Sequence, residues 1–210
     1  MDVIGQLKAA GVVPVIVIDR AEQAAPLARA LVKGGLKVLE ITFRTPAAAE
    51  SIARIRAEVP EAVVGAGTLL TPHQVRAAHA AGAAFGVALG LDPAAYKTAL
   101  ELGLPFVPGV ATASELSQAL SAGFTLVKFF PAEAAGGAKM IKNLLGAFRF
   151  TGVKFMPTGG VNAENLGDYL AIPEVVAAGG TWIVPKKALD EGDWSAIERL
   201  AADAAARAAR

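Results

Sequence analysis

Ala24-Ala-Pro-Leu-Ala-Arg-Ala-Leu-Val-Lys-Gly-Gly-Leu-Lys-Val-Leu-Glu-Ile-Thr-Phe-Arg44 holds one complete helix-to-strand unit. Ala24, Leu27, Ala28 and Leu31 recur at the spacing of one helix face. Gly34 follows, where a left-handed residue that ends a helix is least strained as glycine. Val38–Phe43 then reads as a short apolar strand. Outward from this unit the same order returns in both directions. Strands are expected near Val12–Ile18, Val38–Phe43, Val63–Ala66, Phe85–Leu89, Phe106–Val107, Leu126–Phe129, Lys154–Met156 and Val175–Ala178, roughly one βα unit apart. Gly82, Gly103 and Gly123 take the same place as Gly34, between a helix and the next strand. Thr71 before Pro72, and Ser114 before Glu115, read as helix starts. Strict alternation of strand and helix implies a parallel sheet. Eight units can close into a single (β/α)8 TIM barrel, an α/β fold; an open, doubly wound sheet is the structural alternative. No linker interrupts the pattern, so residues 1–210 are expected to form one barrel domain. The alanine-rich Ala201–Arg210 is expected to be a frayed or docking terminal helix.

Composition narrows the function classes. A chain of 210 residues suffices for one barrel and falls short of two ordinary domains. With 54% hydrophobic and 19% charged residues it is not extensively disordered. A net charge of +1 without a basic run gives no reason to expect nucleic acid or a membrane surface as partner. The absence of cysteine excludes disulfides, thiolate nucleophiles and thiolate-bound metals, and it fits a reducing, cytoplasmic setting. Met1–Ala10 carries Asp2, Gln6 and Lys8, so it lacks the continuous apolar core of a signal peptide, and no apolar run approaches the length of a membrane span. The mean hydropathy of +0.47 is high for a soluble monomer. Helical alanine accounts for much of it, and a buried subunit interface would account for more.

Alternation along the strands identifies the chemistry. In Val38-Leu-Glu-Ile-Thr-Phe-Arg44, Leu39, Ile41 and Phe43 share one face, and Val38, Glu40, Thr42 and Arg44 share the other. The first face suits packing under outer helices; the second would line the lumen. Charged groups there are costly unless paired or used. They read either as a structural ion pair plugging the lumen or as active-site groups, since catalytic residues of barrels gather at the C-terminal strand ends. In Leu126-Val-Lys-Phe-Phe-Pro131, the same rule turns Val127 and Phe129 outward and Lys128 inward. Desolvation disfavours the ammonium form, and a neutral buried amine can attack a carbonyl to form an imine. The plain alternative is a lysine paired structurally with Glu40. Thr158-Gly159-Gly160 after strand seven and Gly179-Gly180-Thr181 after strand eight occupy the two loops that commonly bind phosphate in barrels. Gly65-Ala-Gly-Thr68 brings a hydroxyl and a close backbone approach to the same mouth. His73 and His79 fall together after strand three and do not resemble a metal cluster, so no metal is expected. Glu50–Glu61 reads as a solvated helix face, and Trp182 and Trp194 as packing residues.

Together these blocks resemble the bacterial 2-keto-3-deoxy-6-phosphogluconate (KDPG) aldolases of the Entner–Doudoroff pathway. The resemblance spans nearly the whole chain. It rests on Val13-Pro14-Val15-Ile16, Leu39-Glu-Ile-Thr-Phe-Arg-Thr45, Val64-Gly-Ala-Gly-Thr68, Pro108-Gly109, Lys128-Phe-Phe-Pro-Ala-Glu133, Pro157-Thr-Gly-Gly160 and Gly179-Gly-Thr-Trp182. It implies a trimeric (β/α)8 barrel and a carbon–carbon lyase that needs neither metal nor other cofactor. By resemblance Lys128 is the Schiff-base lysine and Glu40 the general acid/base. Arg44 binds the keto-acid carboxylate, with Thr68 beside it, Thr158 near the substrate and Phe130 by the reacting centre. Gly159, Gly160, Gly180 and Thr181 belong to the phosphate site. The partners implied are a small 2-keto acid and an aldehyde phosphate. Ala88-Leu89 stands where this family usually has Ser-Pro, and Thr181 where it usually has serine. The alternatives are a related aldolase acting on 4-hydroxy-2-oxoglutarate or on the 6-phosphogalactonate epimer, with altered aldehyde specificity, or a non-catalytic trimeric scaffold. A phosphate-site barrel of the thiamine-phosphate synthase kind would call for a metal-binding acidic cluster, which the sequence lacks.

Overall fold

The computed structural model describes residues 2–209. A first helix, α1 (Val3–Ala10), precedes the barrel. Then come β1 (Val12–Ile16), α2 (Ala24–Lys33), β2 (Val38–Thr42), α3 (Ala48–Glu58), β3 (Val63–Gly67), α4 (Pro72–Ala80), β4 (Gly86–Val87) and α5 (Pro93–Glu101). The second half runs β5 (Phe106–Val107), β6 (Gly109–Val110), α6 (Ala113–Ser121), β7 (Leu126–Phe129), α7 (Gly137–Phe148), β8 (Lys154–Pro157), α8 (Leu166–Leu170), β9 (Ala178–Gly180), α9 (Lys186–Glu191) and α10 (Trp194–Ala208). All paired strands are parallel, in the order β5-β4-β3-β2-β1-β9 and β6-β7-β8. Single bridges Phe155–Val175 and Thr158–Gly179 join β8 to β9. β5 and β6 are one stave broken at Pro108, whose nitrogen cannot donate to the ladder. The sheet therefore closes into an eight-stave α/β barrel.

Two apolar layers hold it. Leu39, Ile41, Val127 and Phe129 lie in the large cluster between sheet and helices, while Val13, Val38, Val107, Leu126 and Met156 fill the lower lumen. The alternation expected for β2 and β7 is thus the alternation present. Helix α1, not foreseen from the sequence, closes the bottom of the lumen with Val3 and Leu7. Leu7 is fully buried, worth about 1.5–3 kcal/mol.

Several local expectations need correction. The left-handed glycine after α2 is Gly35 (φ 93°), not Gly34 (φ −75°). Gly34 is needed for another reason: a Cβ there would lie 2.5 Å from the Cβ of Ala201 and 2.6 Å from the carbonyl of Glu198. It lets α10 dock against α2, so of the two expectations for the alanine-rich end the docking helix holds as far as Ala208, with Ile197, Ala201, Ala204 and Ala208 buried; Arg210 lies outside the described residues. Gly82, Gly103 and Gly123 do have positive φ. Thr71 caps α4 as expected, its hydroxyl accepting from the Gln74 amide. The cap of α6 is Thr112, not Ser114, in a reciprocal capping box with Glu115. The last stave is Ala178–Gly180, so Gly179 and Gly180 lie within a strand rather than in a loop after it. The strand read at Phe85–Leu89 shrinks to Gly86–Val87, and β1 ends at Ile16.

Candidate active site

Glu40 on β2 and Lys128 on β7 meet across the upper lumen. Lys128 Nζ lies 3.1 Å from Glu40 Oε1, and both side chains are buried, at 1% and 0% exposure. Such a pair adds little net stability, because desolvating two charges offsets most of their attraction. Glu40 Oε2 is buried without a protein partner, leaving one carboxylate oxygen to accept from something else. Register explains the meeting. β2 aligns Glu40 with Gly65 of β3 and Val15 of β1, and β7 aligns Lys128 with Gly109 of β6 and Met156 of β8.

Glycines clear the space these side chains occupy. A Cβ on Gly67 would lie 2.1 Å from Glu40 Oε1, and one on Gly109 would lie 2.2 Å from the carbonyl carbon of Leu89. Neither role was read from the sequence, where Gly65-Ala-Gly-Thr68 signalled only a close backbone approach. Pairing across β2 and β3 is what aims the Glu40 carboxylate at Gly67, and nothing in either segment alone shows it.

The other expected residues surround the pair. Arg44 stands in the turn just past β2 and is exposed; its Nε donates to Thr68 Oγ1 at 3.3 Å. Thr68 is buried with φ 58°, an uncommon conformation for a β-branched residue and a sign of local constraint at a site. Thr42, placed on the lumen face with Glu40, spends its hydroxyl on the Ile16 carbonyl at 2.8 Å. The Phe130 ring, half-buried, has its centroid 5.8 Å from Lys128 Nζ. Thr158 is buried and its Oγ1 has no protein partner. That hydroxyl sits where a Cβ on Gly179 would come within 2.4 Å. Gly159 and Gly160 have φ 98° and 81°, so the turn after β8 exposes consecutive amides as only glycine readily allows. Gly180 makes room for the Trp182 ring, which would meet a Cβ at 1.6 Å. Thr181 is exposed at the mouth, and Leu89 is half-buried.

Glu133, singled out in the sequence only as the last residue of a motif, ties two loops together. Its amide donates to the Gly159 carbonyl at 3.0 Å, the Ala132 amide donates to the Thr158 carbonyl at 2.8 Å, and its carboxylate accepts from the Tyr169 hydroxyl. Burial first, then the hydrogen bond to Glu133, push the Tyr169 phenol well above its ordinary pKa. His73 and His79 both lie on α4, and no group of three metal-ligating side chains occurs among the described residues.

A buried lysine against a buried carboxylate, beneath an arginine and two glycine amides, is the equipment of an imine-forming enzyme acting on an anionic carbonyl compound. The family model for KDPG and KHG aldolase matches residues 3–200. The chain belongs to that aldolase family. Among its relatives, the 2-dehydro-3-deoxy-phosphogluconate aldolase of Dickeya dadantii is 47% identical over 96% of this chain and 94% of its own. The KHG/KDPG aldolase of Escherichia coli K12 is 47% identical over 92% and 90%. The crystal structure of Legionella pneumophila KDPG aldolase, with pyruvate captured as a covalent carbinolamine, superposes with a TM-score of 0.90 at 43% identity, covering 95% of this chain and 96% of that one. The solved aldolases of this family share the barrel found here.

Proposed function

We propose that this aldolase cleaves 2-keto-3-deoxy-6-phosphogluconate to pyruvate and glyceraldehyde 3-phosphate through an imine on Lys128. The observation that carries the site assignment is the buried contact of 3.1 Å between Lys128 Nζ and Glu40 Oε1. A proton passes from Lys128 to Glu40, freeing the amine to attack the C2 carbonyl. The carbinolamine loses water and becomes a protonated imine. Glu40, again a carboxylate, takes the proton of the C4 hydroxyl. The C3–C4 bond breaks, its electron pair entering the imine to give an enamine, and the aldehyde leaves. Glu40 returns the proton to C3, and water releases pyruvate from Lys128. Arg44 orients the substrate carboxylate by a bidentate contact, next to Thr68. Thr158 Oγ1 offers an unused hydroxyl to the reacting oxygens, and the Phe130 ring shields the imine. The Gly159, Gly160 and Gly180 amides with Thr181 receive the phosphate.

No external cofactor enters these steps, because the lysine supplies the electron sink. The working unit is the whole chain as one barrel, in a cytoplasmic homotrimer. The high mean hydropathy supports a covered surface. No helix among the described residues is long and apolar enough to cross a membrane.

Borohydride reduction in the presence of pyruvate tests the proposal. Peptide mapping is expected to find the three-carbon adduct on Lys128, with loss of activity in proportion. An adduct on Lys37, Lys154 or another lysine would overturn the assignment.

A further inference from the structure

The phosphate-binding groups assigned above are all neutral, although the ligand is a dianion. A cation stands close by. Beyond β1, at the mouth, a cavity of about 370 Å³ is bounded by Val15, Val17, Asp19, Thr181 and Lys186 among others. It borders the stave beside that of Glu40, since Val15 lines it and is the register partner of Glu40. Thr181 joins it to the proposed phosphate loops. Lys186 Nζ hangs over its rim, 3.1 Å from Asp19 Oδ2 and 3.2 Å from Asp190 Oδ1. Arg20, the nearby guanidinium, is engaged elsewhere, donating to the Asp190 carbonyl at 3.0 Å. Asp19 and then Asp190 hold the Lys186 ammonium above the ordinary lysine range, so it stays charged at neutral pH.

We propose that Lys186 is a substrate-binding residue that leaves Asp19 to pair with the distal phosphate, and that the Asp19 carboxylate sets how strongly the site prefers a phosphorylated substrate. This rests on the aldolase reading above. The Lys186 side chain is 72% exposed, so giving up the solvated Asp19 contact while keeping that to Asp190 costs little, and an arriving dianion attracts the ammonium more strongly than the one carboxylate it replaces. Asp19 opposes this twice: it competes for the ammonium, and it presents like charge to the phosphate. The pair therefore tunes specificity in both directions.

The test compares kcat/KM for phosphorylated and unphosphorylated aldehydes in the condensation with pyruvate. Lys186→Met is expected to lower the ratio about tenfold, the weight of one charge-assisted contact at a wet rim, through KM for the phosphorylated aldehyde. Lys186→Arg should restore most of it. Asp19→Asn should raise the ratio severalfold. Lys187→Met, a charge change outside the cavity lining, should move it less than twofold. An unchanged ratio in Lys186→Met, an equal fall in Lys187→Met, or a lowered ratio in Asp19→Asn overturns the proposal. Pyruvate labelling of Lys128 in the parent enzyme separates the outcomes: labelling without a Lys186 effect refutes this inference alone, and no labelling refutes the aldolase mechanism itself.

Discussion

Glu40 and Lys128 are 88 positions apart in the chain and 3.1 Å apart in the lumen. Their mutual burial makes each the other's only charged contact at hydrogen-bonding distance among the described residues, and it sets two expectations at the scale of the residue. Glu40→Gln keeps the volume and one acceptor, so the fold should persist, but it removes the base. Exchange of the pyruvate methyl protons with deuterated water, which isolates that step, should slow about 10²–10⁴-fold. Undiminished exchange would exclude Glu40 as the proton carrier. Gly67→Ala tests position rather than chemistry. The new methyl would meet Glu40 Oε1 at 2.1 Å and must displace it. A carboxylate misplaced by about 1 Å costs on the order of 10² in kcat/KM. The expected signature is a fall in kcat with thermal stability lowered only modestly; full activity would show that Glu40 need not hold this rotamer. Lys128 was legible in the sequence because strand alternation turns it inward between large apolar residues, where an ammonium needs a partner or a reaction to be kept. Gly67 was not, because a glycine beside a turn looks the same whether it serves the backbone or a neighbour's side chain.

At the scale of the element, α6 shows how a helix start is decided by geometry. Thr112, Ser114 and Glu115 offer more than one cap, and the hydroxyl that reaches the Glu115 amide belongs to Thr112. The Glu115 carboxylate accepts from the Ala111 amide at 2.8 Å and from the Thr112 amide at 2.9 Å. The Ala111 bond is the larger cause that holds its pKa below the ordinary carboxylate value. A carboxylate with a lowered folded-state pKa contributes stability above its unfolded pKa and loses it as pH falls through the folded value. Thr112→Ala should therefore destabilise by about 0.5–2 kcal/mol at neutral pH. Glu115→Gln should lower stability at pH 7, and its difference from the parent should shrink as the pH drops below the carboxylate range. Urea unfolding at two pH values measures both; a difference that grows on acidification would refute the assignment of the cap.

At the scale of the whole molecule, the barrel leaves Leu70 and Leu100 about half exposed and Phe150 89% exposed. Isolated apolar residues are ordinary on a monomer, but the mean hydropathy of +0.47 is not. Multi-angle light scattering at micromolar concentration is expected to give three times the chain mass of 21.4 kDa. A monomer mass would remove the trimer from the proposal. Closure rests on few ladder contacts: among the described residues the bridges Phe155–Val175 and Thr158–Gly179 join β8 to β9. Thr158, whose buried Oγ1 has no protein partner, thus lies at the seam of the barrel.

The amino-acid sequence alone determined the class of fold and the lumen-facing residues. Alternation on a strand and periodicity on a helix are local properties, and they place Glu40 and Lys128 inward, Leu39, Ile41, Val127 and Phe129 outward, without reference to any other segment. The resemblance added roles to residues already singled out. Everything that depends on approach between distant segments was decided by tertiary structure. Only packing against Ala201 explains Gly34, and only the Trp182 ring explains why Gly180 lies in a strand and bears no side chain. Helix α1 carries too weak a pattern to announce itself and becomes recognisable when the open end of the lumen receives Val3 and Leu7. Lys186 and Asp19, 167 positions apart, read separately as ordinary surface charges; closing β9 against β1 brings them into contact at the edge of one cavity, and that juxtaposition makes them candidates for recognising the substrate.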